Sequence, residues 1–65
     1  PNPVTDRMYV VAPEDARVEV YDVAGHLALT ASAAQPVVME SLATGVYVVK
    51  VIAADKTETV RILKK

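Results

Sequence analysis

Apolar and polar residues alternate with a period of two along most of this chain, the mark of strands that bury one face and wet the other. The alternation is cleanest in Arg17-Val18-Glu19-Val20-Tyr21, which sets Val18 and Val20 on one face and Arg17 and Glu19 on the other. Val46-Tyr47-Val48-Val49-Lys50-Val51-Ile52-Ala53 is the longest β-branched run; its parity points Tyr47, Val49 and Val51 at a core and Lys50 at solvent. A partner strand comes next at Thr59-Val60-Arg61-Ile62-Leu63, with Val60 and Ile62 inward, Arg61 outward and a hairpin turn at Asp55-Lys56. Shorter strands are predicted at Arg7–Val11, Leu27–Ala31 and Val37–Glu40. The Ala-rich continuation through Ala34 is also compatible with a short helix, which Pro36 would stop.

The breaks between these runs carry turn chemistry. Pro13-Glu14-Asp15 suits a type I turn with the proline at its second position, and Gly25 supplies a left-handed residue in the loop after Asp22. Six short strands at this spacing predict a two-sheet antiparallel sandwich, because a parallel βαβ arrangement needs crossover helices for which there is no room.

A length of 65 residues bounds the fold to one domain whose burial and ordering entropy nearly cancel. Without Cys, Trp or Phe, aliphatic packing has to hold it together. No stretch nears the roughly 18 apolar residues of a membrane span. The opening Pro1-Asn2-Pro3 reads as an extended junction with an upstream domain. A net charge of −1 is too weak to gather nucleic acid. Its distribution is uneven: two basic residues stand against six acidic ones before Lys50 (−4), and five against two from Lys50 onward (+3). The basic end comprises the last strand and the two lysines that close the chain; such a pattern marks either solubilising residues or an interaction tail, and on the second reading Arg61, Lys64 and Lys65 are the candidate recognition residues.

Candidate chemistry is mostly excluded. His26 is the sole imidazole and has no second partner for a triad or a zinc site. The carboxylates match neither a calcium loop nor a converging pair, and two glycines cannot build a phosphate cradle. No catalytic, cofactor-binding or metal-ligating residue is therefore assigned, and no enzyme activity is expected. Tyr9, Tyr21 and Tyr47 are read as core or rim residues rather than a stacking platform for sugars.

Four segments in order carry a resemblance: Pro1-Asn2-Pro3 at the start, Val20-Tyr21-Asp22-Val23-Ala24-Gly25 closing an early strand, Leu42-Ala43-Thr44-Gly45-Val46-Tyr47 entering a late one, and a last strand ending in Lys64-Lys65. Together they resemble the type A C-terminal sorting domain of the type IX secretion system of Bacteroidetes, over nearly the whole chain. His26 departs from the Arg or Lys usual after the glycine, and Thr44 from a common Pro-Ala-Gly. The resemblance implies an all-β, small Ig-like antiparallel sandwich of six to seven short strands, with Gly25, Gly45 and Tyr47 as structural motif residues. It implies a single C-terminal sorting domain over residues 1–65 that carries an upstream cargo domain from the periplasm to the medium or the cell surface. The implied partners are an outer-membrane translocon or shuttle and a sortase, which usually removes the domain before the cargo is attached to the surface. The rival readings are an Ig-like structural spacer and a glycan-binding accessory module of a secreted enzyme.

Overall fold

Period-two segments become stable only where a second layer covers their apolar face. The computed structural model describes residues 6–65, and these meet that requirement with six antiparallel strands and no helix: β1 (Arg7–Met8), β2 (Arg17–Asp22), β3 (Leu27–Ser32), β4 (Val37–Val38), β5 (Gly45–Ile52) and β6 (Thr57–Lys64). A four-stranded sheet runs in the order β3-β2-β5-β6, and β1 with β4 forms a two-stranded second sheet. The fold is the expected all-β sandwich in small. The Pro1–Pro3 junction lies outside the described residues.

The core is where the two sheets face each other. Val18 and Val20 of β2, Tyr47 and Val49 of β5 and Ile62 of β6 pack with Met8, Val37 and Met39 from the opposite layer, as the alternation requires. Val51 has the same parity and packs against the rim of this cluster.

Several expectations are corrected. The strand expected over Arg7–Val11 ends at Met8, because β4 offers only Val37 and Val38 as partners before the chain turns at Met39. For the same reason the strand expected through Glu40 stops at Val38. Val60 has the inward parity predicted for it yet is 51 % exposed, since the short second sheet does not reach that end of β6. A groove of about 460 Å³ lies there instead, floored by Val49, Val51 and Val60 and walled by Val10 and Val11.

The turns also differ in detail. Pro13 accepts the hydrogen bond from the Ala16 N–H at 3.0 Å, so it occupies the first turn position, not the second. The β5–β6 hairpin closes on the Ala53 N–H bond to the Lys56 carbonyl at 2.9 Å, which puts Ala54 and Asp55 at its tip in place of Asp55-Lys56. Ala33 and Ala34 are not helical. Ser32 ends β3 by accepting the Ala34 N–H on Oγ at 3.1 Å, a local bond that competes with helix formation.

Candidate functional site

The charge asymmetry points to β6 and to the sheet face it shares. Arg61 pairs across the strands with Val48, on the side away from the core, and is exposed. Lys65 lies just past the strand and is exposed as well. Lys64 is the exception. It is the last residue of β6, paired with Gly45, and it continues the inward parity of Ile62. Only 8 % of it is accessible, and its Nζ donates to the Lys65 carbonyl at 3.0 Å. Lys64 is thus not an exposed charge: its side chain is buried and its ammonium is held by the next carbonyl. The three candidates do not form one cluster.

The structural motif residues have definite places. Tyr47 is buried in β5, and its hydroxyl donates to the Ala43 carbonyl at 2.7 Å, tying the loop before the strand to the strand itself. Gly45 starts β5 with φ of 158°, at the border of ordinary extended backbone. Gly25 has φ of 90°, a region that side-chain-bearing residues avoid, so its demand for glycine is the stronger.

Around Gly25 a further residue emerges that the strand periodicity does not single out. Asp22 Oδ1 accepts the backbone N–H of Ala24 at 3.0 Å and of His26 at 2.9 Å, and Asp22 Oδ2 lies 3.5 Å from His26 Nδ1. The Asp-x-x-Gly spacing is its sequence signal, an Asx turn organising the β2–β3 loop. The His26 N–H bond, then the nearby imidazole and the Ala24 N–H, outweigh desolvation and hold the Asp22 carboxyl below its ordinary value.

A lowered folded-state pKa contributes stability that is present above the unfolded value and lost as pH falls through the folded one. The melting-temperature gap between wild type and Asp22→Ala should therefore narrow on acidification below about pH 4. A gap that stays constant with pH would show that ionisation of Asp22 is irrelevant to the loop.

The outer face of the large sheet carries a connected polar cluster. Glu19 Oε2 meets Arg17 at 3.1 Å, Glu19 Oε1 accepts the Tyr21 hydroxyl at 2.7 Å, and Lys50 Nζ lies 5.2 Å above the centre of the Tyr21 ring. The Glu19 hydrogen bond, together with desolvation and the carboxylate charge as smaller causes, pushes the Tyr21 phenol up. Tyr21 is accordingly a committed surface residue. No group of three or more His, Cys, Asp or Glu side chains able to hold a metal occurs among the described residues.

Comparison with known proteins places the chain. A family model described as the secretion system C-terminal sorting domain matches residues 1–65. Neither a curated protein nor a solved structure matches.

Proposed function

From the premise that this chain belongs to the family of secretion system C-terminal sorting domains, and so is a sorting signal for type IX secretion, we propose that the signal is read at the basic end of β6. The family match over residues 1–65 is the observation that carries the sorting role. Such a signal engages the type IX machinery and directs a cargo ahead of it across the outer membrane, to the medium or the cell surface.

Residues 1–65 act in this role as one domain that catalyses nothing and holds no cofactor. The domain is met in the periplasm by an outer-membrane translocon or its shuttle, and a sortase separates it from the cargo after passage. Arg61 and Lys65 make the contact. Lys64 positions Lys65 through its hydrogen bond to the Lys65 carbonyl. Support comes from the exposure of the first two side chains and from the way charge acts at a rim, where it governs encounter rate more than fold stability.

A reporter fused ahead of residues 1–65 should appear outside cells that have the type IX machinery. With both Arg61→Gln and Lys65→Gln in place, extracellular reporter should fall several-fold while the melting temperature of the purified domain stays within a few degrees. Export by the double variant at the wild-type level would remove the charges from the reading. Failure of the wild-type fusion to leave the cell would overturn the sorting role itself. Gln at position 64 is a poor probe of recognition, because the side chain is built into the fold.

A further inference from the structure

Residues directly opposite each other on antiparallel strands share a face. The register therefore assembles the outer surface of the large sheet in rows: Ser32, Arg17, Ile52 and Thr57; then Thr30, Glu19, Lys50 and Thr59; then Leu27, Tyr21, Val48 and Arg61; and last Val46 with Leu63. Three cations stand on this face against one carboxylate, which leaves it at +2. On a chain of net charge −1 the remainder then sums to −3. Arg17 is two strands away from Arg61, so the positive character belongs to the sheet and not only to its last strand.

We infer that this face docks an acidic protein surface, and that it does so across the sheet, beyond the residues at the end of β6. The inference rests on the sorting role, since the partner belongs to the machinery that reads the signal. Charge complementarity sets the sign of the partner. Two observations set its class. The Tyr21 ring is already covered by Lys50, so it offers no free platform for a sugar. Beside Arg61 the cross-strand pair Val46 and Leu63 is exposed, at 38 % and 39 %, and gives the basic field an aliphatic margin. A protein surface that carries carboxylates next to apolar side chains satisfies both parts, whereas an acidic glycan satisfies only the first.

The test changes the field of the face while leaving Arg61 and Lys65 intact. Thr57→Glu with Thr59→Glu adds two carboxylates on exposed positions of the outer face, one of them opposite Lys50, where it should not harm folding. Gln35→Glu with Ser41→Glu adds the same charge on exposed loop positions outside these rows. Extracellular reporter is expected to drop about tenfold for the first pair, and to stay within about twofold of wild type for the second.

A photo-crosslinking residue at Ser32, on the far edge of the face, should give a protease-sensitive adduct in exporting cells that disappears in the Thr57→Glu/Thr59→Glu variant. Equal export by the two double variants would overturn the inference, as would an adduct that survives protease and carries only glycan. If the first pair melts far below wild type, Lys50→Gln with Arg17→Gln replaces it, and undiminished export by that variant overturns the inference equally. Failure of the wild-type fusion to export is a different outcome: it removes the sorting role on which this face depends.

Discussion

Replacing Tyr47 with Ala is expected to leave the chain largely unfolded at room temperature. The side chain is buried among Val49, Ile62 and their partners, and removal of a buried aromatic costs about 3–5 kcal/mol. A single core of this size seldom supplies more than about 3–5 kcal/mol in all, so the loss consumes the whole margin. Tyr47→Phe separates the two contributions of the residue. It keeps the ring and removes only the hydroxyl bond to the Ala43 carbonyl, for which about 0.5–1.5 kcal/mol is expected. The comparison is made by urea unfolding of the 65-residue chain monitored by circular dichroism. A Tyr47→Ala domain as stable as Tyr47→Phe would mean that the ring contributes no packing.

The second large effect is expected at Met39. Its side chain is fully buried although it lies just past β4 and outside any strand, with its N–H bonded to the Asp6 carbonyl at 2.7 Å. Met39→Ala should cost about 2–5 kcal/mol, whereas Met39→Leu, which conserves volume, should cost less than about 1.5 kcal/mol. The neighbouring Val38 is half exposed, so Val38→Ala should remain within about 0.5 kcal/mol of wild type. If Val38→Ala lowered the unfolding midpoint as much as Met39→Ala, the second sheet would be packed on its opposite face.

These two sites show which parts of the fold can be seen in the chain and which cannot. Tyr47, Val49, Val18 and Val20 lie where the alternation puts them, because a period of two fixes the face once one face is buried. Met39 also keeps the parity of Val37, even though the strand ends before it.

Val60 breaks the pattern for a reason that is not local. Its burial depends on how far β1 and β4 extend over β6, and that is decided by pairing between segments far apart in the chain. Lys64 is hidden from sequence reading in the same way, since nothing in a terminal pair of lysines distinguishes the one that completes a ladder with Gly45 from the one that does not.

The candidate site divides along similar lines. Arg61 and its outward parity are legible in the sequence, and so is the excess of positive charge toward the end of the chain. The joining of Arg17, Glu19, Tyr21 and Lys50 into one surface needs the order β3-β2-β5-β6, which no spacing specifies. Asp22 is legible in principle through its distance from Gly25, but the glycine alone accounts for a turn and conceals the carboxylate that organises it.

Among the described strands β6 has a neighbour on one side only, and a rim of this kind is where a sheet can take up another extended chain. Two of its inward positions carry charge: Glu58, opposite Val51, and Lys64, opposite Gly45, near the two ends of the eight-residue strand. A second copy laid along this rim would have to enclose both charges in the continued core, and inward charges of this kind are how sheets resist fusing with their own kind. Charge near both ends of the strand thus works against edge-to-edge pairing of two copies.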